Sequence, residues 1–301
     1  MSTLKSFILA LPLVILITGC NNKEKITYEQ EIADWKASRL ERLKGKNGWL
    51  NLAGLYWLSE AENTIGSDST NSIIFPPPAS AFYGSIRLAG DSMLFKAALG
   101  AEVLVDGKLT SEKYLLCDAS GKPSIMEAGN MAWYIIRRDN KYGIRLRNYD
   151  HPRISGLAEI PAYKPDLKWK IIADYIPYDT VREIETATVT GGLELSKCPG
   201  ELIFTKGIRK YKLHPFSEGK ELFIIFADKT NGIETYGNGR YMYASLPDSL
   251  GKVVLDFNKA YNPPCAFSPF ATCPMPPREN ILDLKVDAGE KEVHFNTASA
   301  N

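Results

Sequence analysis

Beyond Gly45 the chain breaks into short apolar or alternating runs, each closed by Gly, Pro, Asn or Asp, and this punctuation restricts the fold more than any other feature. The runs occupy residues 49–57, 73–75, 85–88, 93–95, 103–105, 114–117, 133–137, 143–147, 169–175, 202–204, 211–213, 222–226, 253–257, 281–286 and 293–295. Segments this short, spaced this evenly with turn residues between them, suit a sandwich or a barrel. Repeated strand–helix alternation is missing, which argues against a parallel α/β sheet. Only the start of the chain differs. Thr27-Tyr-Glu-Gln30 has the form of a capping box, and Ile32, Trp35, Leu40 and Leu43 follow near helical spacing until Gly45 stops the run. The predicted fold is therefore mainly β, with two β-sandwich or barrel-like lobes and one N-terminal amphipathic helix. Helix and first lobe take residues 27–149, the second lobe takes 150–295 with a Pro-rich loop at 256–280, and 296–301 form a tail. The boundary falls in residues 150–166, where three prolines gather. A free linker there would expose Ile154, Leu157, Ile160 and Tyr163, so the lobes are expected to be packed together.

Ahead of the helix, residues 1–19 carry one charge, Lys5, then an apolar stretch of about a dozen residues and small residues at its end, the pattern of an export signal. The stretch is too short for a comfortable membrane span. Ile17-Thr18-Gly19-Cys20 resembles the bacterial lipobox, in which cleavage precedes a Cys that becomes acylated. That resemblance implies that Cys20 is the lipidated first residue, that 20–26 is a polar tether, and that the protein is a membrane-anchored lipoprotein of the bacterial cell envelope. Charge excludes a different class of partner. Lys and Arg number 36 against 35 Asp and Glu, so the chain from Cys20 on is neutral, and no positive stripe offers itself to nucleic acid.

Four further cysteines, at 117, 198, 265 and 273, enter a compartment where disulfides persist. Cys265 and Cys273 share the Pro-rich loop, and a bridge between them would close a small ring with a stabilisation on the order of 2–3 kcal/mol. Cys117 and Cys198 read as isolated buried thiols. No cofactor motif is present, and the spacing of His214 and His294 around the cysteines makes no zinc site. Asp228-Lys-Thr230, after the apolar run 222–226, lacks the companions of a phosphoryl nucleophile, and Asn231-Gly232 reads as a turn.

Polar residues with aromatic, Pro and Gly neighbours are densest in the second lobe. A pocket built there would draw on Asp228, Glu234, Tyr236, Arg240, Asp256, Asn258, Tyr261, Asn262, Glu279 and Asn280. Prolines 263, 264, 274, 276 and 277 remove five backbone donors, so Asn262, Asn280 and Arg240 have carbonyls, or a ligand, to satisfy. Arg240, after Gly237-Asn-Gly239, is the expected key charge, its planar fork bridging Asp228, Asp256 or Glu279 to the loop or gripping an anion.

Asn262-Pro-Pro-Cys265 and Cys273-Pro-Met-Pro-Pro-Arg-Glu-Asn280, with Gly48-Trp-Leu50, Gly54-Leu-Tyr-Trp57 and Ile65-Gly-Ser-Asp68, resemble the bacterial domain-of-unknown-function family 1684 over about residues 39–290. The resemblance implies a site near these motifs and no particular reaction. In the first lobe, Asn63-Thr-Ile-Gly66-Ser-Asp68, Ile73-Ile-Phe75, Gly84-Ser-Ile86, Val103-Leu-Val-Asp106-Gly107, Met126-Glu-Ala-Gly129 and Ile135 resemble the forkhead-associated β-sandwich. Ser67 stands where that family has its phosphate-binding Arg, so the resemblance implies fold alone. Three functions are then open. One is a lipid-anchored binding module for a small polar ligand or an envelope protein. The second is a hydrolase pairing Asp228 or Glu234 with Asp256, and the third is an envelope scaffold.

Overall fold

The computed structural model describes residues 18–295, with side chains described from residue 25 onward. The expected signal segment before Thr18, the tail 296–301 and the Cys20 side chain lie outside the described residues.

The described chain opens with one helix, Thr18–Lys44. It starts well before Thr27, because no Gly or Pro interrupts residues 20–44 and nothing therefore ends the helix there. This corrects the expected start at the capping box, and the stretch expected as a tether, 20–26, has helical backbone. Although it precedes the first lobe in sequence, the helix is held largely by the second. Tyr28 donates its hydroxyl proton to Asp256 Oδ1 at 2.7 Å, Lys259 pairs with Glu31, and Arg39 pairs with Glu290 while donating to the Asn262 carbonyl at 2.8 Å.

The protein is mainly β, as its punctuation requires. In the first lobe a six-stranded sheet runs in the order Leu52–Trp57, Lys141–Asn148, Met131–Arg138, Met126–Ala128, Leu104–Val105, Lys108–Leu109. It faces a five-stranded sheet ordered Ile73–Ile74, Glu62–Gly66, Gly84–Ala89, Ser92–Ala97, Glu112–Tyr114. Inward residues of both sheets, among them Phe75, Ile86, Phe95, Val105, Trp133, Ile135 and Ile144, form one core. Trp133 sits at its centre, its ring 5.5 Å from Phe75 and 4.9 Å from Tyr83. The two-residue turn Asp106-Gly107 has positive φ at both positions (52° and 76°), the geometry that suits the right-handed twist of the strands it joins.

The second lobe pairs a four-stranded sheet, Arg209–Leu213, Leu193–Lys206, Lys170–Ala187, Lys252–Asp256, with a three-stranded one, Phe216–Glu218, Glu221–Phe226, Arg240–Ser245. Its core gathers Phe204, Leu222, Ile224, Phe226, Met242, Leu255 and Phe257. Two of its strands are long, 18 residues for Lys170–Ala187 and 14 for Leu193–Lys206. Their shared turn reaches the first lobe, where a Cβ built on Gly192 would lie 3.0 Å from Asp139 Oδ2. The segments 281–286 and 293–295, expected as strands, form none; a single bridge joins Ile281 to Ala227. Between the lobes, Ile154, Leu157 and Ile160 pack with Leu43, Leu50 and Phe267.

Candidate functional site

The residues expected to line a pocket in the second lobe occupy several separate clusters, and most of them tie the backbone together. Asp228 and Arg240 form an ion pair at 2.7 Å with both side chains fully buried. Asp228 Oδ1 also accepts from the Thr230 amide at 2.8 Å, the Thr230 hydroxyl at 2.7 Å and the Val286 amide at 3.2 Å. Arg240 donates to the carbonyls of Val286 at 3.1 Å, Ala288 and Glu290. The guanidinium thus bridges Asp228 to carbonyls as expected, but those carbonyls belong to the final segment and not to the Pro-rich loop. The preceding Gly239 allows this close approach. Its φ is +85°, and a Cβ there would meet Pro276 Cγ at 2.4 Å and the Phe226 carbonyl at 2.6 Å.

Asp256 and Asn258 belong to the helix dock, where Asn258 Nδ2 donates to the Tyr28 hydroxyl at 2.8 Å and to the Asp166 carbonyl at 2.9 Å. Asn280, fully buried, donates to the carbonyls of Ile225 at 2.8 Å and His214 at 2.9 Å and accepts from the His214 amide at 2.7 Å. Asn262 donates to the Lys291 carbonyl at 2.7 Å, and Tyr261 lies under the Arg39 guanidinium at 4.4 Å. Glu234 is at the surface with Tyr163 and Lys285, which hold its carboxyl below the usual range, and Glu279 is exposed. The amide-for-carbonyl exchange demanded by the prolines is therefore made within the protein. Asp228, Glu234 and Asp256 do not share a cleft, since the first is sealed against Arg240 and the last against Tyr28.

Tyr236 is the member of the set that meets the cysteines. Cys265 and Cys273 are free thiols, and the Cys265 amide donates to Cys273 Sγ at 3.1 Å. The bridge that these two residues could form is open in this structure.

A cavity of about 550 Å³ opens elsewhere, between the lobes. The first lobe gives it Trp57, Arg145 and the charged residues Arg137, Arg138, Asp139 and Lys141, and the second gives the turn 188–194, Pro264 and residues 272–274. Trp49 stands between them, at the end of the segment that leads from the helix into the first strand. Arg145 has the least ordinary environment. It is only 4% exposed, and its Nη2 reaches one acceptor, Thr272 Oγ1, at 3.4 Å. Its Nε is buried without an acceptor, and it has no ion-pair partner among the described residues. The guanidinium carbon lies 5.6 Å from the Trp49 ring centre. Arg138, also on the wall, is paired with Asp118 at 2.7 Å. A second cavity of about 440 Å³ shares Trp49, Glu194, Tyr241, Pro264 and Pro274 with the first and continues toward Trp35, Tyr243 and Tyr261.

Sequence reasoning passes over Arg145 because Ile144-Arg145-Leu146-Arg147 reads as a strand with one solvated face. Both faces are in fact covered, the arginine face by Trp49 over Arg145 and by Gly48 and Asn51 against Arg147. The signal that was present lay in the motifs, since Gly48-Trp49 and Cys273-Pro274 meet at this cavity.

No curated protein matches the chain. Residues 155–291 match a family model described as "Protein of unknown function (DUF1684)". The solution NMR structure of an uncharacterised protein from gene locus rrnAC0354 of Haloarcula marismortui is similar at 32% identity, over 46% of this chain and 78% of that one, with a TM-score of 0.39. The structure titled Rv0020c FHA is similar at 17% identity over 31% of this chain and 88% of that one, with a TM-score of 0.22, a likeness too slight to assign a fold or a ligand. The matched segment, residues 155–291, is similar to the protein family of unknown function DUF1684.

Proposed function

We propose that the protein is a binding module of the bacterial cell envelope, anchored through an acylated Cys20, that holds a small organic anion in the cavity between its lobes. One observation carries the ligand chemistry: Arg145 is buried, charged and nearly without partners. A guanidinium withdrawn from water loses several kcal/mol of solvation, which only a counter-ion or a full set of acceptors restores. Arg145 has one acceptor, at the outer limit of hydrogen bonding, where Arg240 has a carboxylate and three carbonyls. Its planar fork matches a carboxylate or a phosphate. The Trp49 face beside it suits a ring or an apolar body on the same ligand, and about 550 Å³ is an ordinary volume for a small-molecule site. The anchoring half of the proposal rests on the lipobox-like residues 17–20.

A hydrolase built on Asp228 or Glu234 with Asp256 finds less support, because none of the three lines this cavity and Asp228 and Asp256 are engaged in buried bonds. A pure scaffold leaves the condition of Arg145 without a purpose. Thermal unfolding of the purified protein against organic phosphates and carboxylates, at constant ionic strength, tests the reading. A ligand at 100 times its Kd is expected to add about 2.7 kcal/mol of stability. Arg145→Gln is expected to abolish that gain and Arg145→Lys to weaken it. Equal stabilisation of wild type and Arg145→Gln would remove Arg145 from the site.

A further inference from the structure

The cavity wall carries a second chemistry that the anion reading does not use. Cys265 is half-buried in the middle of the short turn Pro264–Ala266, and Cys273 lines the cavity at 5% exposure. The two residues are held against each other in the reduced state, the Cys265 amide donating to Cys273 Sγ at 3.1 Å. We propose that Cys265 and Cys273 are a reversible dithiol–disulfide couple, with Cys265 the attacking sulfur, that exchanges with an external disulfide.

The assignment of roles follows from what surrounds each sulfur. Cys265 is the more accessible sulfur, half-buried where Cys273 is 5% exposed and held at its Sγ by the Cys265 amide, and the neighbouring Cys273 and Tyr236 keep the Cys265 thiol below the ordinary range against the opposing effect of burial. Cys273 is pushed up, first by the proton it shares with Cys265 and then by burial. The more accessible and more acidic sulfur is the nucleophile of such a pair, and the buried neighbour that keeps its proton resolves the mixed disulfide. In the first step Cys265 S⁻ attacks one sulfur of R–S–S–R′; the S–S bond breaks, a Cys265–S–S–R bond forms and R′S⁻ leaves to take up a proton. In the second, Cys273 gives up its proton and attacks the Cys265 sulfur, and RS⁻ leaves and is protonated. The protein has lost two electrons and two protons, and the external disulfide has become two thiols. An external dithiol reverses the sequence.

The couple is attached to the anion cavity, a consequence that rests on the function proposed above. Thr272, next to Cys273, is the one acceptor of Arg145 and is also bonded by Arg138 at 3.3 Å. The Cys273 carbonyl accepts from the Val189 amide at 2.9 Å, and the Pro274 carbonyl accepts from the Tyr241 hydroxyl at 2.6 Å. Drawing Cys273 Sγ onto Cys265 therefore shifts the residue that positions Arg145.

The test is thiol mapping of the whole protein equilibrated in glutathione and glutathione disulfide buffers of graded ratio, quenched with an alkylating agent and read by peptide mass. The couple predicts joint loss of alkylation at Cys265 and Cys273 with a linked 265–273 peptide, reversed by dithiothreitol, while Cys117 and Cys198 stay alkylatable in the denatured protein. In Cys273→Ser, the glutathione adduct is expected to accumulate on Cys265; in Cys265→Ser, little adduct is expected on Cys273. No 265–273 linkage in wild type at any ratio overturns the couple, and faster adduct formation on Cys273 than on Cys265 overturns the roles. Affinity for an anion found in the thermal screen is then compared between oxidised and reduced protein, with a change of at least threefold expected. Equal affinities overturn the attachment. An absence of anion binding in both states counts against the proposed function while the linkage result stands by itself.

Discussion

Three of the four buried arginines, Arg240, Arg147 and Arg145, show how much a side chain's fate depends on partners that sequence does not display. Arg240 has a carboxylate and three carbonyls, Arg147 has the Gly48 carbonyl and Asn51 Oδ1, and Arg145 has Thr272 at 3.4 Å. The bridging role of Arg240 was legible, because the Gly-Asn-Gly before it announces close backbone approach and the missing proline donors announce a need for side-chain amides and guanidinium. Its partners were not, since the 286–290 carbonyls are distant in sequence and belong to a stretch with no periodicity. Arg240→Lys keeps the charge and loses the fork, so several buried carbonyls are left without donors; a loss of about 2 kcal/mol or more is expected in denaturant unfolding. An unchanged midpoint would contradict the bonding described for this pair. Arg145→Met is expected to behave in the opposite way, since it removes a charge that has no counter-ion; stability should hold or rise within about 1 kcal/mol while anion binding disappears. A drop as large as that of Arg240→Lys would mean that Arg145 serves the fold.

At the scale of elements, the sequence announced what lies in the cores and missed what stands outside them. Burial alternates in the Ser92–Ala97 strand, where Met93 and Phe95 turn inward, and Glu221–Phe226 stood out as a continuous apolar run. It was lost in the two long strands, whose outer halves are mostly exposed and whose register shifts between Pro177 and Arg182. With no buried face there is no period of two to read, and only the inner portions, near 169–175 and 202–204, stood out. Those outer halves nevertheless carry the turn that closes the cavity. The N-terminal helix gave a similar half-answer, its apolar stripe visible and its docking partner hidden. Tyr28 links it to the second lobe by donating to Asp256, whose other oxygen, Oδ2, is buried without a partner. Tyr28→Phe therefore deprives a buried carboxylate of a principal donor and is expected to destabilise the protein by about 1–3 kcal/mol. Chemical denaturation followed by circular dichroism measures it, and a difference below about 0.5 kcal/mol would show that the hydroxyl adds little to the dock.

For the whole molecule, the position of the cavity depends on two lobes that are fixed to each other, and the fixing point is the short helix Pro152–Gly156 at the expected boundary. Arg153, 2% exposed, donates to the Leu52 carbonyl in the first lobe and to the Phe267 carbonyl at 3.2 Å in the second. His151 orders it: the ring Nδ1 accepts from the Arg153 amide at 3.2 Å and from its Nε at 3.3 Å. Burial, and then the neighbouring Arg153 charge, push the imidazole down to about 4, while the unfolded chain returns it to about 6.5. Between those values the unfolded state binds more protons than the folded one, so stability rises with pH across the window. The contribution is fully present above about pH 6.5 and is lost as pH falls through about 4, with an upper limit of about 3 kcal/mol. Protonation also removes the acceptor that holds Arg153, so acid should loosen the lobes at this joint before it unfolds either core. Calorimetry is then expected to give a single transition near pH 7, with calorimetric and van't Hoff enthalpies equal, and two resolved transitions near pH 4.5. His151→Asn offers an acceptor in place of Nδ1 but does not titrate, and it should keep the single transition down to pH 4.5. If that variant splits at the same pH as wild type, carboxylates elsewhere govern the acid response and His151 is not the joint's sensor.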